Sequence, residues 1–376
     1  MSFLLILKKE LEAVFKNSTI LLILFGGSVL YAFLYPMPYK SDVITKQKIA
    51  IIDEDKTQSS RDLIFYFKST PQLDVIGQVD SRIQAKRMLE KNEILAYVFI
   101  PKDFERDLAR RVNIQIEYNI NASYFSAYGA IVEGLNNAVW AFSDELKVKH
   151  KLESQGIALQ TQLLKKDSIP LFNPNLGYMN YALAAILVFI LHQISIGAIM
   201  LLGTFQNQEN DPKAYYNQAS CIKILFARYI VLGSISVVLY LLFFGFFFSF
   251  YHIHTTANWL DFWCFGLALI FASLSLGNFL SLFIRDMKVP MQIVLISSLP
   301  IVFLLGFIWP KDLIPPFLDI LAHLIPAYHG VIGFLKINQM GADFSDIREN
   351  FFWLISLGFL LSLLWIYGKM KQREKF

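Results

Sequence analysis

Six charge-free stretches of 19 to 41 residues constrain the fold of this chain more than any other feature. They are Asn17–Tyr39, Ser168–Gln208, Tyr229–Leu260, Phe262–Ile284, Val289–Pro310 and Asn350–Gly368. A helix needs about 20 apolar residues to cross a hydrocarbon core of about 30 Å, so each stretch predicts one membrane span. The second and third overrun a single span, but each holds one apolar core with polar or proline-rich ends (Pro170 to Tyr178; His252 to Asn258). A seventh stretch, Ile320–Leu335, is too short to cross and too polar, with His323, Pro326 and His329. It reads as a re-entrant or interfacial segment. The charges are unevenly spread: 37 of the 64 Lys, Arg, Asp and Glu fall within the 133 residues Lys40–Phe172. The chain therefore reads as an α-helical integral membrane protein with six transmembrane helices plus an inserted extracytoplasmic α/β domain.

The expected boundaries follow. Residues 1–18 form a cytoplasmic amphipathic interface helix and 19–36 the first transmembrane helix. Residues 37–172 form the extracytoplasmic α/β domain with a long connecting helix. Residues 173–376 supply transmembrane helices 2–6, with a re-entrant segment at 311–335 and a cytoplasmic tail. Orientation comes from Lys and Arg near the span ends. An inside N-terminus puts Lys8, Lys9, Lys16, Lys213, Lys223, Arg228, Arg285, Lys288, Lys369, Lys371, Arg373 and Lys375 in the cytoplasm. The opposite side, apart from the inserted domain, then carries Lys311, Lys336 and Arg348. The first span ends Tyr35-Pro36-Met37-Pro38, without a small-x-small cleavage site, and so reads as an uncleaved anchor. Cys221 falls near the cytoplasmic face and Cys264 inside the fourth span, so no bridge between them is expected.

In the inserted domain, strands are expected at Lys48–Asp53, Leu73–Val79, Ile94–Ile100 and Val112–Tyr118. Helices are expected at Ser59–Lys68, Ser81–Lys91 and Lys102–Arg111, the last opened by Pro101, before a long helix from about Tyr124 to Leu164. Alternating strands and short helices imply a small α/β layer with mostly parallel pairing. Asp53-Glu54-Asp55 reads as a solvated loop, with a divalent-ion or ligand site as the alternative. Glu133 reads as a helix-packing or interface residue.

No catalytic constellation is present. The chain lacks a Gly-x-x-x-x-Gly-Lys-Ser/Thr loop, and its one Gly-Lys, Gly368-Lys369, is followed by Met370. His-Glu-x-x-His, Gly-x-Ser-x-Gly and a membrane-embedded aspartate pair are missing too. No metal site is expected, and His252-x-His254 reads as an interfacial loop. Residues 3–16 put Phe3, Leu4, Leu7, Leu11, Val14 and Phe15 on one face, with Lys8, Lys9, Glu12 and Lys16 opposite. Such a helix lies in the membrane interface, as a lipid anchor or as a contact for a protein partner. Glu209, Asp211 and Lys213 read as a solvated loop or a second contact. His192 and Gln193 lie near the middle of the second span, where a polar residue either bonds a neighbouring helix or lines a pathway or subunit interface; Asn278 belongs with them. Gly306, Pro310, Pro315 and Pro316 stop a straight helix, and Trp309 suits the membrane interface. With Pro326 they predict a re-entrant cap over the outer end of a pathway, the alternative being an amphipathic surface loop.

Four segments together resemble the ABC-2 class of ATP-driven exporters, in particular members with a large domain between spans one and two. The start, Leu4-Leu-Ile-Leu-Lys-Lys-Glu-Leu-Glu-Ala-Val-Phe-Lys-Asn-Ser18, is similar to that family's cytoplasmic amphipathic helix. Val98-Phe-Ile-Pro-Lys-Asp-Phe-Glu-Arg-Asp-Leu108 is similar to its IP-x-x-F-x-x-x-L element. Phe172-Asn-Pro-Asn175 matches its Asn-Pro before span two. Gly306-Phe-Ile-Trp-Pro-Lys-Asp-Leu-Ile-Pro315, with Pro326 downstream, resembles its Gly/Pro signature after span five. The segment Phe205–Lys213 keeps Glu209 but lacks the family's arginines and glycine. The resemblance implies a permease subunit paired with a second copy or a paralogue and energised by a separate ABC ATPase subunit. This chain itself would bind no cofactor, ATP and Mg being used by that partner. It further implies a bacterial inner membrane, with a periplasmic adaptor and an outer-membrane channel as further partners in doubly membraned bacteria, and no nucleic acid. The rival reading is a non-transporting receptor or scaffold whose outer domain binds a ligand or envelope partner.

Overall fold

The computed structural model describes residues 1–39, 43–110, 112, 114–153, 172–173, 177–209, 211, 213–309 and 311–374. It divides into two units: Met1–Asp42 with Ile169–Phe376, and Val43–Ser168. The chain opens with α1 (Phe3–Lys16), whose first turn is capped by Ser2 Oγ accepting from the Leu5 amide at 3.4 Å. At Asn17 the backbone is extended, and the side chain accepts from the amides of Thr19 and Ile20. One capping residue thus ends α1 and starts α2 (Ser18–Leu34), and the two helices meet at 77°.

The Val43–Ser168 unit holds β1 (Gln47–Asp53), α3 (Gln58–Ser69), β2 (Leu73–Gln78), α4 (Arg82–Glu90), β3 (Ala96–Ile100), α5 (Phe104–Ala109), β4 (Glu117–Ile120) and α6 (Phe125–Glu153). The sheet order is β2-β1-β3-β4, with β1 parallel to both neighbours and β4 antiparallel to β3. Strand β1 is buried on both faces, which explains its unbroken Ile49-Ala-Ile-Ile52 run. Ile49 and Ile51 join Leu63, Phe67, Val98 and Leu135 on one side, while Ala50 and Ile52 join Ala85, Ile94 and Tyr97 on the other.

Three local expectations are corrected here. The fourth strand starts at Glu117, not Val112, and pairs antiparallel to β3. Pro101 does not open α5: Asp103 adopts a left-handed φ of 65° and the helix begins at Phe104. The Asp53–Asp55 turn is a structural device, not a solvated loop. Asp53 accepts from the amides of Asp55 (3.1 Å) and Lys56 (3.0 Å) and from Ser60 Oγ (2.8 Å). Asp55 takes the free first-turn amides of Phe104 (3.1 Å) and Glu105 (3.0 Å). Burial raises its carboxyl, but these bonds and that from Thr57 outweigh it and leave Asp55 below the ordinary value of 3.8. The expected long helix is seen as α6 to Glu153; its remainder to Leu164, like Pro174 and Asn175, lies outside the described residues.

The second unit continues with α7 (Ala184–Glu209), α8 (Cys221–Phe250), α9 (Trp259–Ser281), α10 (Val289–Leu304), α11 (Pro316–His323), α12 (Pro326–Asn338) and α13 (Phe344–Arg373). Four of these, α7, α8, α9 and α13, are long and apolar enough to cross a membrane, and the number reaches six if the bent pairs α1–α2 and α11–α12 each count as one span. The membership differs from the six runs. Val289–Pro310 yields only the 16-residue α10, about 24 Å long at 1.5 Å per residue, before Gly306 turns the chain at φ +79°. The stretch around Ile320–Leu335 instead forms two helices meeting at 87°, a broken span or a re-entrant loop. Helix α7 is the axis of the bundle, with nearly all of its apolar stretch buried. It meets α9 so closely that a Cβ on Gly277 would sit 2.6 Å from the Ile196 carbonyl oxygen, the small-residue packing typical of membrane helices.

Candidate functional site

The two chain ends of the bundle unit converge. Ile6 packs with Tyr216, Ala219, Cys221, Ile224, Leu282 and Trp365, so α1, the segment between α7 and α8, the end of α9 and the end of α13 share one core. From α13, Arg373 donates to the carbonyls of Ala219 (2.8 Å) and Tyr216 (2.5 Å), and Lys369 donates to Asn207 Oδ1 at 3.0 Å.

Helix α1 has three faces where the sequence predicts two. Ile6, Glu10 and Val14 recur every four residues and are fully buried against the bundle. Leu4, Leu11 and Phe15, expected on that same side, point outward at 75%, 44% and 52% exposure. Lys8 and Glu12 form the polar face, with Glu12 in an exposed 3.6 Å pair with Lys16. Lys9 is partly covered, its Nζ 5.5 Å from the Tyr215 ring centre.

Beneath α1 lies a polar cluster. Arg228 of α8 reaches Glu10 at 3.5 Å, an ion-pair contact rather than a hydrogen bond, with side chains 2% and 0% exposed. Its other nitrogens donate to Asn278 Oδ1 of α9 at 2.7 Å and to Gln206 Oε1 of α7, and its guanidinium lies 5.2 Å from the Trp365 ring centre. Gln206 Nε2 turns to Glu10 Oε1 (3.3 Å) and the Tyr215 hydroxyl (3.1 Å). Burial, then the Glu10 carboxylate, pushes the Tyr215 phenol above its usual range, so it stays protonated. The rigid fork of five donors on an arginine is what lets one side chain bind several elements at once.

The loop after α7 presents Glu209, Asp211 and Lys213 at the surface. Glu209 accepts from the Tyr216 hydroxyl at 3.1 Å, and Asp211 accepts from the Lys213 amide at 2.9 Å. Burial, then Glu209, raises the Tyr216 phenol to about 12.

A family model described as ABC-2 family transporter protein matches residues 18–367. The chain belongs to the ABC-2 transporter family. No match to an individual curated protein accompanies it.

Within this ABC-2 transporter the mid-bundle residues are internal. His192 is buried with Nδ1 2.8 Å from Ser273 Oγ of α9, and Gln193 Nε2 donates to Ser298 Oγ of α10 at 3.3 Å. Asn278, expected to belong with them, lies in the Arg228 cluster instead, one or more turns along α9 from Ser273. At the other end of the bundle, Gly306 makes the turn and Trp309 is half exposed, while Pro310 lies outside the described residues. Pro315 precedes α11, and Pro326 sits buried in the first turn of α12. Lys311 lies 5.4 Å from the Tyr328 ring centre, and Tyr328 donates to Asp319 at 2.9 Å. The neighbouring Tyr328 hydroxyl is the largest effect holding Lys311 above its ordinary value.

Sequence pattern does not single out Glu10, Gln206 or Arg228, the last counting only as a positive-inside charge. The signals were there: Glu10 lies on the Ile6–Val14 stripe, and Arg228 directly abuts the apolar run that begins at Tyr229. Where a charge at such a position is buried, as Glu10 and Arg228 are, it requires a counter-charge.

Proposed function

We propose that this chain is the transmembrane (permease) subunit of an ABC-2 exporter energised by a separate ATPase subunit. It resides in a bacterial inner membrane with both termini cytoplasmic and residues 37–172 outside. Two copies, or this chain and a paralogue, pair around the pathway. The partner ATPase binds ATP and Mg, and docks on the exposed Lys8–Glu12 face of α1 and on the loop bearing Glu209, Asp211 and Lys213. Segment 311–335 caps the outer end. The outer domain serves as gate, cargo collector or docking surface, and a periplasmic adaptor with an outer-membrane channel would extend the route.

The observation that carries this reading is the placement of α1. It bends 77° away from the first span and keeps Lys8 and Glu12 exposed, while Glu10 on its other side meets Arg228 of α8 and Gln206 of α7. A helix so placed can receive force from a soluble partner and pass it on. The test is nucleotide hydrolysis by the complex purified from its native membrane. Lys8→Glu with Lys9→Glu, or Glu209→Lys, should lower ATP hydrolysis by the complex without blocking membrane insertion. The isolated chain should hydrolyse none. Unchanged hydrolysis in both variants would remove these contacts, and a preparation that never retains an ATPase would favour a receptor or scaffold.

A further inference from the structure

Glu10 and Arg228 differ from the residues assigned to ATPase docking because neither reaches solvent, at 0% and 2% exposure. A charge so placed is stable only beside its counter-charge, since separating the pair strands both in a poorly solvating interior. The pair also joins different elements, Glu10 on α1 and Arg228 on α8, and Arg228 continues to Gln206 on α7 and Asn278 on α9. Apolar packing alongside, between Ile6 and Ile224 among others, tolerates sliding. A planar guanidinium held by acceptors from three helices does not.

We propose that Glu10 and Arg228 form a latch that makes α1 one rigid body with the adjoining end of α7, α8 and α9. Motion applied to the exposed face of α1 then reaches the spans instead of being absorbed at the Asn17 bend. The latch deepens the transport reading and rests on it. Both are positioning residues, touching neither ATPase nor cargo.

The experiment uses the permease–ATPase complex in proteoliposomes, with Cys221 and Cys264 replaced by alanine. Spin labels at Leu11→Cys and Ile222→Cys, both exposed positions, report whether α1 and α8 move together. Labels at Phe250→Cys and Phe303→Cys, also exposed, report whether ATP with vanadate shifts the bundle itself. The wild type should give a narrow first distribution and a nucleotide-driven shift in the second. Glu10→Gln should broaden the first and cut the shifted population of the second roughly tenfold, while ATP hydrolysis continues. A short thiol bridge between Ser2→Cys and Lys223→Cys, beside the 3.5 Å contact of Lys223 with the Met1 carbonyl, should restore the shift in Glu10→Gln. A merely structural brace would not be rescued in this way. A narrow first distribution in Glu10→Gln, a retained shift, or failure of the bridge to restore it would each overturn the latch. If Glu10→Gln does not assemble, Gln206→Ala takes the same measurements. If the wild type shows no nucleotide-driven shift, the transport reading fails, and the width of the Leu11–Ile222 distribution still decides the latch.

Discussion

Helix α7 carries polar side chains at its middle and at its end, and the two places are built differently. At the middle, His192 and Gln193 each meet one serine, and Ser195 meets Ser236 at 3.1 Å. These are neutral, pairwise bonds between adjacent helices. At the end, Gln206 joins a charged pair and is shared among Glu10, Tyr215 and Arg228. The difference is one of consequence. Losing a neutral bond leaves a hydroxyl or amide that finds another partner. Losing one member of the charged pair leaves an unpaired ion in a buried, poorly solvating place. The bundle middle is therefore glued, and the end that carries both termini is locked.

That contrast can be broken in several ways. Arg228→Ala should be the most damaging, destabilising the bundle by about 3–5 kcal/mol in thermal unfolding in detergent. A smaller loss would mean that Glu10 finds water or another cation. Gly277→Val should come next, at about 1–3 kcal/mol, because the added carbons meet the Ile196 carbonyl oxygen and force α9 off α7. Asp55→Asn tests a carboxylate that is only partly buried, and should cost the Val43–Ser168 unit about 1 kcal/mol at pH 7. The folded carboxyl of Asp55 lies below its ordinary 3.8, so the advantage of wild type is fully present above that value and fades as pH falls through the folded value. A difference that persists unchanged at pH 2 would contradict that origin. Smallest is Ser273→Ala at the middle, which removes the hydroxyl that meets His192 with little change in volume, expected at about 0.6 kcal/mol and no more than about 1.7. If it rivals Arg228→Ala, the distinction between glued middle and locked end fails.

The strand and helix order of the inserted unit was legible because β1 and β3 are buried on both faces and read as continuous apolar runs. Strand β4 was not, since Val112–Ile116 alternates as cleanly as a strand yet lies before the paired Glu117–Ile120. Pairing depends on where the chain returns, which alternation does not encode. In the bundle, length and apolarity located α7, α8, α9 and α13, but α10 stops early, where Gly306 turns the chain at φ +79°. The outer face of α1 was legible at Lys8 and Glu12. Its inner face was not, because a charge such as Glu10 counts as polar until a buried arginine on another helix is known to face it. Sequence patterns describe each element against solvent and lipid, and that cluster exists only between elements.

In the proposed function, α1 is the surface that a partner ATPase grips. Photo-crosslinking from Lys8 in intact membranes, with Leu295 on the exposed face of α10 as the lipid-side control, tests this most directly. If an ATPase docks on α1, position 8 crosslinks, and position 295 does not, to a subunit carrying a nucleotide-binding phosphate loop. Crosslinks from position 8 to lipid alone, in membranes where the complex hydrolyses ATP, would contradict it.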